Sequence, residues 1–250
     1  MQAKKLILFD IDKTLVSEMV RGSDPWRSSF HEVYGVNSPI NVTGADTHGM
    51  THKQIIIESM RNNGLSDDEI MAKMSRFMSV FENHYQQSLD NGKIDLYPKI
   101  PELLDRLKEK GHLLGLVTGN TQKIAFMKLD KAGIGAYFKC GGFGDDSPDR
   151  EKLVEKALER ARDYSGSDIS PHDIFLVGDT PKDISAAEKF GINTIAVATG
   201  IYTQKELKET GADYVLETLE NVEHLLSIIE SDVKREGKPQ IEIGQRSTLV

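Results

Sequence analysis

The sequence predicts an α/β protein: a Rossmann-like, doubly wound parallel sheet interrupted by a helical insert. Three observations carry this. Short apolar runs that end in polar residues recur along the chain, helical patterns separate them, and the stretch 25–90 breaks the alternation. The apolar runs are 5–10, 112–118, 173–179 and 193–198, with a weaker one at 213–216 suited to a sheet edge. Runs that are apolar on both faces fit strands covered by helices on either side. The helical patterns are 98–110, 122–132, 149–164, 182–190 and 219–230. Pro101 falls in a first turn, and Gly111, Gly133 and Gly191 follow last turns, as helix ends require. Strands alternating with helices give right-handed βαβ units.

The insert reads as helical throughout. Ser66-Asp67-Asp68-Glu69 is a capping box. It opens an amphipathic helix with Ile70, Met74, Phe77, Met78, Phe81 and Tyr85 on one face, while Ile55, Ile56 and Met60 mark another helix before it. This stripe reads as bundle core. The predicted division is an α/β core of residues 1–16 and 95–233, a helical insert of 17–94, and a polar tail of 234–250. Within the tail, Ile241 and Ile243 alternate with polar residues as a short docked strand would. An insert placed directly after the first strand overhangs the carboxyl ends of the sheet, where ligands bind in such folds.

A chain of 250 residues makes one or two domains and buries a sizeable core. Its net charge of -8 argues against broad nucleic-acid binding, which needs a basic face. An anionic substrate remains compatible, because a local cation overrides the global field. The single cysteine, Cys140, excludes an internal disulfide framework and a cysteine-rich zinc site. No apolar stretch reaches membrane-spanning length, so the expected compartment is the cytoplasm.

Polar residues gather where strands end: Asp10 with Asp12, Thr118, the 141–150 region, and Asp179 with Asp183. Parallel strands bring these ends to one edge. Each cluster alone has an ordinary structural reading. Asp-x-Asp serves as a cap or an Asx-turn, the 178–183 stretch as a turn into a helix, and Thr118 as a hydroxyl satisfying the backbone. Together they place four carboxylates at one site, which repel unless a cation neutralises them. Oxygen-only ligands favour Mg2+.

Asp10-Ile11-Asp12-Lys13-Thr14, Val117-Thr118-Gly119-Asn120 and Gly178-Asp179-Thr180-Pro181-Lys182-Asp183 resemble motifs I, II and IV of the haloacid dehalogenase superfamily. The insert between motifs I and II resembles that superfamily's C1 helical cap. The resemblance implies a Mg2+-dependent phosphatase. Asp10 would be the nucleophile that becomes an aspartyl-phosphate. Asp12 would protonate the leaving oxygen, then deprotonate the attacking water. Ile11 would point into the core. The implied metal set is Asp10, the Asp12 carbonyl, Asp179 and Asp183. Thr118 and the N–H groups of Gly119 and Asn120 would hold phosphoryl oxygens. Motif III supplies a cation at a helix start; Arg150 and Lys152 are the candidates, and Arg150 suits bidentate contact with phosphate. Many relatives carry Gly where this chain has Lys13, whose charge lies either in solvent or beside the substrate.

The cap is expected to set specificity. The Gly-punctuated loop 43–53 offers His48, Thr51, His52 and Lys53 as substrate contacts, with Arg21 near the hinge as a further candidate. His48 and His52 are four residues apart, but no third metal ligand accompanies them. The expected substrate is a small phosphorylated metabolite, as for phosphoglycolate phosphatases. The alternatives are a β-phosphoglucomutase-type phosphomutase and a nucleotidase. A dehalogenase is disfavoured because it needs neither Asp12 nor an acidic motif IV.

Overall fold

A computed structural model describes residues 4–18, 24–37, 47–90 and 92–231. Arg21, the first part of the 43–53 loop and the 234–250 tail lie outside the described residues. In chain order the elements are β1 (Leu6–Phe9), β2 (Val16–Glu18), α1 (Pro25–Tyr34), α2 (His52–Asn62), α3 (Asp67–Asp90), β3 (Asp95–Leu96), α4 (Ile100–Glu109), β4 (Leu113–Thr118), α5 (Gln122–Lys131), β5 (Cys140–Phe143), α6 (Arg150–Ser165), β6 (Ile174–Gly178), α7 (Pro181–Glu188), β7 (Asn193–Val197), α8 (Gln204–Glu209), β8 (Tyr214–Leu216) and α9 (Val222–Glu230).

Six strands form one parallel sheet in the order β5-β4-β1-β6-β7-β8. The chain starts in the middle, at β1, and winds outward on both sides. Alternation decides what each strand covers. In β1, Leu6 and Leu8 join Leu153, Val154 and Leu158 of α6 on one face, while Ile7 and Phe9 join an apolar cluster with Leu103, Leu107, Leu225 and Ile229 of α4 and α9 on the other. Both faces are dry, as the doubly apolar runs predicted. The weak run near 213–216 is the edge strand β8.

Two elements go beyond the sequence reading. The edge strand β5 is Cys140-Gly141-Gly142-Phe143, with too few apolar side chains to announce a strand. The short helix α8 follows a Thr203/Glu206 capping box. A third addition is the antiparallel pair β2–β3, with Val16 opposite Leu96, at the junction of core and insert.

Among its described residues the insert has three helices, α1, α2 and α3. Ser66 and Glu69 close the capping box of α3, with Asp67, Asp68 and Glu69 in the first turn, where the helix dipole favours negative charge. Ile70, Met74, Phe77, Phe81 and Tyr85 are buried. They meet α1 through aromatic pairs, Trp26 with Phe81 at 4.1 Å and Phe30 with Phe77 at 4.7 Å between ring centroids. Met78, expected on the same face, is only half-buried.

Candidate active site

The carboxyl ends of β1, β4 and β6 lie side by side, and the site is built there. Asp10 extends β1 by one residue, its N–H donating to Val177 O at 2.9 Å. The chain then coils tightly: Leu15 and Val16 both donate to Ile11 O at 2.9 Å. That coil buries Ile11 completely and leaves Asp10 and Asp12 on one cavity. It also forces Lys13 to φ 64°, a left-handed conformation that favours glycine. Lys13 is held there by its ammonium on Ser17 O at 2.6 Å and by Thr199 Oγ1, which donates to its carbonyl.

The cavity holds about 230 Å3 and is lined by Asp10, Asp12, Thr118, Gly119, Asn120, Arg150 and Asp179 from the core. Trp26, His48, Gly49, Met50, His52 and Ile55 line it from the insert. Thr118 Oγ accepts from the backbone and side-chain nitrogens of Asn120, at 3.4 and 2.9 Å, so its own proton stays available to a further acceptor.

Arg150 opens α6, and its guanidinium is buried. It donates to Asp10 Oδ1 at 3.0 Å, to Asp183 Oδ1 at 2.5 and 3.0 Å, and to Gly49 O at 3.1 Å. Lys152 lies on the exposed side of the helix, paired with Glu155 at 2.7 Å. Of the two candidates for the fixed cation, geometry brings Arg150 to the site and leaves Lys152 out.

Asp183 is fully buried, and both of its oxygens are engaged. Oδ1 takes Arg150, and Oδ2 accepts from Thr180 N at 3.1 Å and Thr180 Oγ1 at 2.7 Å, closing the capping box of α7. It was expected among the metal ligands; what the fold shows it doing is anchoring Arg150. Asp179 is different. It is buried, and its side chain accepts one long contact, from Thr14 Oγ1 at 3.4 Å.

The electrostatics follow from this arrangement. Burial pushes the Asp10 carboxyl up to about 7, with Arg150 opposing and Asp183 and Asp12 adding to the rise. Burial pushes Asp179 up to about 8, reinforced by Asp10 and Asp183. Two buried carboxylates with spare lone pairs on one cavity suit a hard cation. Among the described residues no three acidic, histidine or cysteine side chains converge on one point. A cation here would therefore take Asp10, Asp179 and backbone or solvent oxygens, a donor set that fits Mg2+.

Asp12 behaves oppositely. Burial would raise it, but Lys128 and Asn120 hold it below the usual carboxylate range. Lys128 Nζ donates to Asp12 Oδ1 at 2.8 Å, Asp12 Oδ2 at 2.6 Å and Asn120 Oδ1 at 2.8 Å; Asn120 Nδ2 donates to Asp12 Oδ2 at 2.7 Å. Lys128 was missed by the sequence reading. The available signal was a lysine on the apolar stripe of α5, with Ile124, Ala125 and Leu129.

The insert loop is seated on the core. His52 N donates to Gly119 O at 2.9 Å, Thr51 Oγ1 to Pro148 O at 3.1 Å, and Lys53 Nζ to Asp145 O at 2.5 Å. A Cβ on Gly119 would come within 2.3 Å of Met50 O, so the close approach of the two backbones needs glycine there. Of the four expected contact residues in this loop, His48 and His52 line the cavity, whereas Thr51 and Lys53 fasten the loop to the core. Burial, with Lys128 adding, pushes His52 down to about 3, so its imidazole is neutral. Trp26 meets His52 edge-on at 5.1 Å.

The chain is similar to known proteins. The model of the haloacid dehalogenase-like hydrolases matches residues 7–197, and the chain belongs to that family. It is an enzyme. It is 24% identical over 222 residues to phosphoglycolate phosphatase 1 of Pseudomonas aeruginosa, covering 87% of this chain and 78% of that protein. It is 34% identical over 136 residues to the pyrophosphatase PpaX of Bacillus velezensis, covering 53% of this chain and 60% of that one. The structure of CbbY from Rhodobacter sphaeroides in complex with phosphate shares the fold, with a TM-score of 0.66 and 19% identity over 88% of this chain and 96% of that one.

Proposed function

We propose that this enzyme is a Mg2+-dependent phosphatase that hydrolyses a small phosphomonoester through an aspartyl-phosphate on Asp10, as a phosphoglycolate phosphatase would. One observation carries the reading: the Asp10 carboxylate faces a small cavity together with Asp179, Thr118 and Arg150. Asp10 and Asp179 would hold the cation, which when bound would neutralise the phosphoryl oxygens and the two carboxylates. Thr118 and the Gly119 and Asn120 amides would receive phosphoryl oxygens. Arg150, itself anchored by Asp183, orients Asp10, and its fixed charge would meet the transferring oxygens. Asp12, held ionised by Lys128 and Asn120, would relay to the leaving oxygen a proton brought in by the phosphomonoester monoanion, and would take one from the water that hydrolyses the acyl phosphate. The insert acts as a cap, with Trp26, His52 and Ile55 over the leaving group.

The volume favours a small substrate. Pockets for drug-sized ligands run from about 300 Å3 upward, and this cavity holds about 230 Å3. That supports a compact phosphomonoester over a nucleotide. The names of the relatives support phosphoglycolate or pyrophosphate as the first compounds to test. Among the described residues no helix is long and apolar enough to cross a membrane. The buried free thiol of Cys140 fits the cytoplasm, the compartment we propose.

A phosphate-release screen over small phosphomonoesters, pyrophosphate, nucleotides and hexose phosphates, with and without Mg2+, tests the reading. Release from the compact substrates only when Mg2+ is present is expected. Isomerisation of a hexose phosphate without net release would instead mark a mutase.

A further inference from the structure

Lys128 is the most deeply buried ammonium among the described residues, at 1% exposure, and it sits where an apolar residue would complete the stripe of α5. A buried ion pair is weak grounds for stability, because desolvation offsets the attraction. Here its three donors meet three acceptors, the two oxygens of Asp12 and Asn120 Oδ1, at 2.6–2.8 Å. The Asn120 amide adds a further bond to Asp12 Oδ2. Both oxygens of Asp12 are thus held by Lys128 and Asn120, which restrains its side-chain torsions.

The support continues into the insert. Tyr85, on α3, places its ring 5.5 Å from the Lys128 ammonium, in cation–π range. The same two helices are joined on either side of this contact. Lys123 of α5 pairs with Glu82 of α3 at 3.2 Å, and Lys131 donates to Leu89 O. The residue that orients Asp12 is therefore roofed by the cap helix at the seam where that helix docks.

We propose that Lys128 is a positioning residue that fixes the Asp12 carboxyl for its proton transfers, and that Tyr85 makes this fixing depend on α3 being docked. The proposal rests on the reading of Asp12 as the group that exchanges a proton with substrate and water. Lys128 does not line the cavity, so its effect passes through Asp12, not through contact with the phosphoryl group.

The test uses the full chain with Mg2+ and whichever phosphomonoester the wild type hydrolyses. Wild-type turnover checks the functional reading independently of this one. In Lys128→Met, kcat is expected to fall about 10²-fold, the scale of a misplaced acid/base group. KM and inhibition by orthovanadate should stay within about threefold of wild type, because Lys128 makes no phosphoryl contact. Lys128→Arg should recover part of kcat. Tyr85→Leu, which keeps an apolar filling, should lower kcat with KM retained, and its loss should not multiply with that of Lys128→Met in the double variant. Unchanged kcat in Lys128→Met would overturn the positioning role, as would a KM rise matching the loss. Multiplicative losses in the double variant would overturn the link to the cap. Thermal melts run alongside; if Lys128→Met does not fold, Lys128→Arg and Tyr85→Leu carry the same readouts, and unchanged kcat in Tyr85→Leu again overturns the link to the cap.

Discussion

At the scale of single residues, the site depends on how a few buried charges are divided. Arg150 bridges Asp10 and Asp183, so the two carboxylates see one guanidinium. Arg150→Lys keeps the charge but cannot span both partners and Gly49 O. Its kcat should fall about 10²-fold, as when one charge-stabilising donor is lost, measured by phosphate release. Arg150→Ala leaves Asp183 buried and unpaired, and should cost about 3–5 kcal/mol of stability in a denaturant titration. Lys13 tests backbone strain. Its left-handed φ predicts that Lys13→Val destabilises the fold by about 1–2 kcal/mol more than Lys13→Gly, read as a difference in denaturant midpoint. These residues differ in how far the sequence exposed them. Asp10, Asp12, Thr118 and Asp179 were legible because their chemistry sits at strand ends, where motif and topology coincide. Asp183 was legible as part of the site but not as the anchor of Arg150, because capping and metal binding use the same residue type. Lys128 was hidden inside a helix pattern whose amphipathicity still read as ordinary.

At the scale of elements, the insert loop is seated on the core, with His48 and His52 on the cavity wall. Gly119 lies beneath Met50, and a methyl group there comes within 2.3 Å of the Met50 carbonyl oxygen, so the backbone must shift. Gly119→Ala should lift the loop, break the His52 N–Gly119 O bond and lower kcat/KM by about 10²-fold, with little change in melting temperature. The insert's own core is aromatic, and Phe77 lies at its centre, fully buried between Phe30 and Phe81. Phe77→Ala should destabilise the protein by about 3–5 kcal/mol, measured by equilibrium unfolding. The long helices and the central strands were legible because their periodicity runs over many residues. β5 was not, since two of its four residues are glycines that admit the close approach of Leu116 and Leu153. The β2–β3 pair was not legible either. Two or three residues per strand carry no period, and their pairing is imposed by the geometry of the junction.

At the scale of the whole molecule, the fold holds Asp10 and Asp179 together at a cost that a bound cation would relieve. Both are raised in the folded state, so the folded chain binds more protons than the unfolded chain between their ordinary range and about 7–8. Stability of the metal-free protein should therefore rise as pH falls from 8 to 6.5. His52 is depressed and costs stability only below its ordinary value near 6.5, outside that window. Mg2+ should raise the melting temperature most at pH 8, where both carboxylates are ionised, and flatten the dependence. Calorimetry across the window, with Mg2+ and with chelator, checks this. The overall architecture was the most legible feature of all, because alternating strands and helices leave few topologies open. On the proposed function, Asp10 is the nucleophile of a Mg2+-dependent phosphatase. The most direct measurement is phosphate release by wild type and Asp10→Asn at equal concentrations with saturating Mg2+. Turnover is expected from the wild type and none from a fully folded Asp10→Asn, whose melting temperature at pH 8 should be unchanged or higher. Release by Asp10→Asn at the wild-type rate would contradict that role.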